Sequence, residues 1–405
     1  MGMEQATVAA KVKPGGRSGR RHYRRAIAAR VVLAVLFGVG FFLSVAPWGR
    51  AAARAALLLP ALISVSEPAP LGVVGDGVRF SRTTVPSLNG PVYLDIYEPD
   101  TAPPPIPGRR AAIIDIVGAG DHRSEPQLVN LSRSMARTGM VVVNMGTPAL
   151  FGLQISAQDV EAVVTTYQTL AHWRGVDPRR IGILGFSAGG PLAALAAADP
   201  RLQDKLAFIT LFGSYYDTIS LLHAIGQRAV TADGHTQPWH PLYFPMLVLV
   251  ISIGDTLTGS ESQLLQQAFA PNGQPLAPGE LAQLSPGALA VYHLLEGDEP
   301  DRVDQNLAAI TPQMRALLNQ LSPSRVLAKI HAPIYLLHDR SDQYVPFTQS
   351  REFAAALARA HRAYDFAEFG IFEHVEVRSN QGLSQVVGDG AQLYRILDKM
   401  LVVGS

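Results

Sequence analysis

The chain has no cysteine in 405 residues. That excludes a thiolate metal site, a disulfide framework and a cysteine nucleophile. Charged side chains are scarce too, at 17% against 48% apolar. A disordered chain is thereby excluded, because disorder needs low hydrophobicity and high charge. There is no internal repeat. No strongly basic domain is present either: the formal net charge is only +1.

That near-zero total hides an asymmetry. Residues 1–54 hold Lys11, Lys13, Arg17, Arg20, Arg21, Arg24, Arg25, Arg30, Arg50 and Arg54 against the single acid Glu4. The leader therefore carries nine net positive charges and the remaining chain eight net negative ones. This is a basic leader on a mildly acidic globule, not a nucleic-acid-binding surface.

Residues 31–48 read VVLAVLFGVGFFLSVAPW, eighteen positions without a charge. A membrane-spanning helix needs ~20 apolar residues, with ~17 as the lower limit. The basic stretch before it should stay cytoplasmic, which would leave the body outside. The expectation is an uncleaved signal anchor. Two other readings stand beside it. One is a cleaved signal peptide, with small residues at 51–53 as the cleavage site. The other is a membrane hairpin whose second limb would be residues 55–65, returning the body to the cytoplasm.

Five segments follow from composition: leader and anchor at 1–66, a proline- and glycine-rich linker at 67–77, a first core part at 78–212, an insertion at 213–322, and a second core part at 323–405. Strand patterns at 78–84 and 92–97 flank Asn89-Gly90, a turn dipeptide, and suggest an antiparallel hairpin. Buried-strand runs at 111–117, 141–145, 181–186 and 206–212 then alternate with helical periodicity at 126–138, 157–173 and 191–198. Continuous apolar strands between amphipathic helices indicate a mostly parallel sheet covered on both faces, an α/β fold. The alternation stops near residue 213. Helical stretches at 216–230, 260–269, 287–295 and 312–321 read as an inserted helical cap. Strand and helix return at 334–338, 349–361, 363–369 and 391–403.

Gly185-Phe186-Ser187-Ala188-Gly189 lies between an expected strand and an expected helix. A serine there sits on a sharp turn that exposes its hydroxyl, and Ala188 N–H would face a developing oxyanion. Such a hydroxyl needs a base, and the base needs an orienting acid. The chain order in this architecture is serine, acid, histidine. His374, on a loop past the strand at 363–369, is the expected base. His338 lies inside a strand and is expected to make a strand-end hydrogen bond. Asp342, in the loop after the strand at 334–338, is the expected acid. Asp339 and Asp217 are the alternatives. The second oxyanion donor is expected from the loop Gly118-Ala119-Gly120, with Ala119 N–H preferred and Gly118 next.

These motifs resemble those of the α/β-hydrolase superfamily, in its esterase/lipase and dienelactone-hydrolase-like branch. The supporting segments are YLDIYEP (residues 93–99), GVDPRRIGILGFSAGG (175–190) and HAPIYLLHDRSDQYVP (331–346) with its downstream His374. The likeness implies a serine hydrolase acting on a small-molecule or lipid ester, without metal or organic cofactor. The alternatives are a peptidase or C–C hydrolase on the same fold, and a catalytically silent binding or scaffold protein. Two departures are evident. Many esterases of the family carry His-Gly-Gly-Gly where this chain has Val117-Gly118-Ala119-Gly120, and many have glycine where Asp339 stands. No nucleic-acid or obligate protein partner is expected; the membrane would be met through the N-terminal helix. Residues 242–253 (LYFPMLVLVISI) are too few to cross a bilayer. They are expected to be a buried cap element, with the wall of an acyl pocket or a lip on the membrane as other readings. The neighbouring Trp239-His240 pair reads as structural.

Overall fold

The structure, a computed structural model, describes residues 46–62, 69–102, 109–377 and 383–403. Its centre is an eight-stranded sheet. β1 (Val78–Ser87) and β2 (Gly90–Pro99) form the expected hairpin, closed at Gly90 with φ 117°. A left-handed φ of this kind is open to glycine without a β-carbon clash. β3 (Arg110–Ile116), β4 (Val141–Gly146), β5 (Val176–Phe186) and β6 (Ile209–Phe212) follow. A short antiparallel ribbon, β7 (Ala229–Ala232) with β8 (His235–Pro238), comes next. β9 (Ile334–Asp339) and β10 (Tyr364–Phe369) complete the sheet, and β11 (Phe372–Glu373) with β12 (Glu376–Val377) makes a two-residue ribbon past its edge.

The sheet order is β1-β2-β4-β3-β5-β6-β9-β10. β2 runs antiparallel to β1 and β4, and the other pairings are parallel. Side chains alternate between two separate cores, as a period of two requires. Ala112, Ile114 and Ile116 of β3 join one, and Ala111 and Ile113 join the other. Both faces are therefore buried, which is why these strands read as unbroken apolar runs.

The helices are α1 (Pro47–Leu62), α2 (Ala69–Val74), α3 (Pro126–Arg137), α4 (Pro148–Phe151), α5 (Val160–Ala171), α6 (Gly189–Ala197), α7 (Thr218–Gln227), α8 (Tyr243–Ser252), α9 (Gly259–Ala268), α10 (Pro278–Leu281), α11 (Pro286–Glu296), α12 (Val303–Ala309), α13 (Pro312–Gln320), α14 (Thr348–Arg359) and α15 (Leu383–Val403). The insertion is helical as expected, apart from the β7–β8 ribbon.

The N-terminal part departs from the expected segmentation. Residues 47–62, which composition groups with the leader and anchor, form α1. Ala51, Ala55, Leu58 and Ala61 make one helical stripe, buried in the core that also holds residues of α3 and α15. Small side chains at that spacing permit close helix packing. Tyr394 Oη reaches Ala52 O at 3.3 Å, and Asn130 Nδ2 reaches Ala61 O at 3.3 Å. Residues 55–62 of the hairpin reading's second limb are thus seated in the folded body. The linker likewise contains α2, with Leu71 buried. Among the described residues, no helix is long and apolar enough to cross a membrane. Residues 31–45 of the expected anchor lie outside the described residues; Trp48, its last position, is 72% exposed at the start of α1.

Candidate active site

β5 ends at Phe186, and Ser187 follows with φ 50°. For a residue with a β-carbon this left-handed conformation is strained. The surroundings impose it. Ser187 N–H donates to Phe212 O at 2.8 Å, and Gly190 N–H donates to Ser187 O at 3.0 Å. The turn is too tight for side chains beside it. A β-carbon on Gly189 would lie 1.9 Å from Ile116 O, and one on Gly185 would lie 2.6 Å from Gly189 O. One on Gly190 would meet Ser214 Oγ at 1.7 Å. The three glycines let α6 start directly beneath the serine.

A serine on a strained strand-to-helix turn, at the C-terminal edge of a mostly parallel sheet in this strand order, decides the fold. The chain has the α/β-hydrolase fold. No family model matches it, and no curated sequence does. Solved structures do align. A Mycobacterium tuberculosis puromycin-hydrolyzing peptidase aligns at 19% identity and TM-score 0.47, covering 81% of this chain and 39% of that one. Pyrococcus horikoshii acylaminoacyl peptidase aligns at 13% and 0.46, covering 82% and 42%. The 2,6-dihydroxy-pseudo-oxynicotine hydrolase aligns at 16% and 0.43, covering 78% and 68%. The chain thus spans about two fifths of the length of the two peptidases.

In α/β-hydrolases the acid and histidine follow from later strands. The structure brings Asp342 and His374 together: His374 Nδ1 donates to Asp342 Oδ2 at 2.7 Å. Asp342 is 1% exposed. Its Oδ1 accepts Tyr344 N–H at 2.7 Å and Val345 N–H at 2.9 Å. His338 Nε2 stands 3.3 Å from Oδ2. Burial raises the Asp342 carboxyl pKa, but the two histidines outweigh it and hold the group well below the usual carboxylate range.

His338 donates from Nε2 to Val345 O at 2.9 Å, leaving Nδ1 to accept the Ser350 hydroxyl at 2.7 Å. It is the expected strand-end hydrogen-bonding residue, and it braces the acid loop.

The two alternative acids have other work. Asp339 Oδ1 accepts Ser341 N–H at 2.8 Å, and Oδ2 accepts Phe372 N–H at 2.8 Å. Asp217 caps α7, accepting the N–H groups of Ile219 and Ser220 at 2.9 and 3.1 Å. Its Oδ2 accepts the Ser324 hydroxyl at 2.5 Å.

The loop after β3 lies against the serine. A β-carbon on Gly118 would sit 3.3 Å from Ser187 Cβ and 3.5 Å from Ala188 N. Gly120 N–H donates to Leu150 O at 2.7 Å, and His122 Nε2 donates to Ala119 O at 2.8 Å. Among the described residues, the backbone N–H groups of Ala119 and Ala188 have no hydrogen-bond acceptor. Arg123 holds the loop down. It forms a fork on Asp121 with both bonds at 2.8 Å, lies 3.3 Å from Asp95, and covers the Phe151 ring at 4.7 Å.

Sequence reasoning missed two residues here, Gly213 and Tyr344, and read a third, Trp239, only as structural. Gly213 follows β6 with φ 61°, and a β-carbon there would lie 3.0 Å from both His374 Cε1 and His374 Nδ1. This strand-end glycine leaves room for the imidazole, next to the Phe212 carbonyl that holds Ser187. Tyr344 stacks on His374, with centroids 4.6 Å apart and planes at 18°. Trp239 is bonded to the acid loop. For Gly213 alone a signal existed: a glycine directly after a buried strand.

The cap meets the site through α8. Before the helix, Leu242 N–H donates to Gln343 O at 2.9 Å, and Phe244 packs edge-on to Tyr344 at 6.3 Å. At its other end Ser252 Oγ accepts Ile155 N–H at 2.9 Å. Gln343 follows β9 and Ile155 follows β4, and β6, β5 and β3 lie between those strands. A ten-residue helix spans about 15 Å, close to the ~19 Å across four strand spacings. The helix α8 therefore ties the loop after β9 to the segment that follows β4 and α4. Residues 242–253 are a partly buried cap helix, and every α8 side chain is uncharged.

Proposed function

We propose that the protein is a serine hydrolase working through an acyl-enzyme. Ser187 attacks a carbonyl carbon while His374 takes its proton. Asp342 holds the imidazole tautomer and offsets the charge of the imidazolium. The Ala188 and Ala119 amides receive the oxyanion. As the tetrahedral adduct collapses, the bond to the leaving alcohol breaks and His374 gives that alcohol the proton. Water deprotonated by the same histidine then hydrolyses the acyl-enzyme and returns Ser187. The observation that carries this reading is the strained Ser187 turn joined, through Phe212 and Gly213, to a buried Asp342–His374 pair.

The proposed substrates are carboxylic esters with a hydrophobic acyl or alcohol group, including lipid-derived ones. The uncharged α8, joined to the loop that carries Asp342 and Tyr344, supports this, since an apolar wall favours an apolar group. A panel of esters with graded chain length tests it; activity confined to acetyl esters would overturn the preference. We further propose that residues 31–48 anchor the enzyme, with its body outside the cytoplasmic face. Protease accessibility on intact cells tests that topology, and a protected body would refute it.

A fluorophosphonate probe tests the activity itself. Labelling at Ser187, lost in Ser187→Ala, is the expected result. An unlabelled, folded protein would mark it as a silent fold that only binds.

A further inference from the structure

We infer that Trp239, from the cap, is a positioning residue for the catalytic acid; this rests on the serine-hydrolase reading. Trp239 is 7% exposed, and its Nε1–H donates to the backbone carbonyl of Asp342 at 2.7 Å. The neighbouring Leu242 N–H donates to Gln343 O at 2.9 Å. Two consecutive carbonyls of the acid loop are thus held by one cap segment. The carboxylate of that loop is held separately, by the amides of Tyr344 and Val345 on Asp342 Oδ1.

The consequence reaches the imidazole by two routes. The main chain at Asp342 sets where Oδ2 meets His374 Nδ1. Tyr344, two residues on, stacks on His374 and is itself flanked by Phe244 of α8. His374 sits at φ 60° in the two-residue turn between β11 and β12, so the ribbon places its backbone and the acid loop meets its ring. The cap segment from Trp239 to Phe244 therefore does more than cover the site. It holds two carbonyls of the acid loop, while β9 sets where that loop begins. The indole bond of Trp239 goes to the Asp342 main chain, so it acts through Asp342.

The test uses the full-length enzyme in detergent, a soluble chromogenic ester, and the rate of fluorophosphonate labelling. Trp239→Phe keeps an aromatic ring but removes the N–H donor. The expected result is a fall in kcat of about 10-fold with KM within about twofold, consistent with the up to ~10² cost of misplacing a catalytic group. The labelling rate should fall by a similar factor. Leu242→Pro removes the second donor, at a φ of −72° that proline adopts without strain. It should lower kcat in the same way, and it decides the matter if Trp239→Phe does not fold. An unchanged kcat in the folded variant, or a rise in KM with kcat intact, would overturn the inference. Ser187→Ala run in parallel separates the two levels. If it retains activity, the hydrolase reading fails; if it is inactive while Trp239→Phe is normal, only the positioning role fails.

Discussion

The carboxylate of Asp339 accepts the backbone N–H of Phe372 at 2.8 Å, two residues before His374. The last residue of β9 thereby ties down the loop that carries the proposed base. Asp342, three positions further on, bonds the imidazole itself. Two buried aspartates, one at the end of β9 and one in the loop after it, thus act on one segment: Asp339 holds the main chain at Phe372 and Asp342 holds the His374 ring.

Their losses should differ in size. Asp342→Asn is expected to lower kcat by about 10⁴, because the amide favours the wrong imidazole tautomer. Asp339→Ala leaves the triad groups intact but orphans a buried N–H. It should lower stability by about 1–3 kcal/mol and turnover only modestly. Steady-state kinetics with thermal melts on both variants separates the roles. Equal kinetic losses would contradict the assignment of Asp342 as the acid.

Asp217 supplies a control. It caps α7, so Asp217→Ala should cost about 0.5–2 kcal/mol in a denaturant melt. Turnover of the folded variant should stay within about twofold. A collapse of kcat to the level of Asp342→Asn would make Asp217 the acid.

The turn under Ser187 makes a steric prediction. Gly189→Ala forces a β-carbon to 1.9 Å from the backbone oxygen of Ile116, which has nowhere to go. Loss of soluble protein, or a destabilisation of more than about 3 kcal/mol, is expected. Gly259→Ala, at the first position of α9 with open space around it, should be neutral or slightly stabilising. Expression and melting temperature of the pair provide the check.

Two buried carboxyls carry a pH signature. Asp159, near the start of α5, is pushed up to about 6 by burial, against a hydrogen bond from Thr147 that lowers it. Burial also pushes Asp115, at the centre of β3, well above the ordinary carboxylate value, and neither of its oxygens has a partner among the described residues. In each case the folded state holds the proton more tightly than the unfolded chain. Stability from these groups is fully present below about pH 4 and is lost as pH rises through the folded value. Asp159→Asn should therefore stabilise the protein at pH 7, by up to about 3 kcal/mol, with the gain vanishing near pH 4. Asp115→Asn should act in the same direction. Denaturant melts at pH 4 and pH 7 decide this; a gain independent of pH would contradict it.

Much of the framework is legible in the chain because it is local. Alternating apolar runs, the Asn89-Gly90 turn and the glycines around Ser187 each act through neighbours a few residues away. Backbone sterics and periodicity therefore determine the hairpin, the parallel strands, the helical insertion and the turn that displays the serine. The order of serine, aspartate and histidine narrows the remaining candidates.

What tertiary structure decided is everything that joins distant segments. Only the folded loop shows Asp342 rather than Asp339 meeting His374, 32 positions away, and Trp239 reaching Asp342 across 103. Only packing seats the alanine stripe of residues 51–61 in the core instead of in an anchor. The physical reason is one: apolar periodicity states that a face is buried, not what buries it. A hydrogen bond between loops depends on loop geometry that neither composition nor spacing encodes.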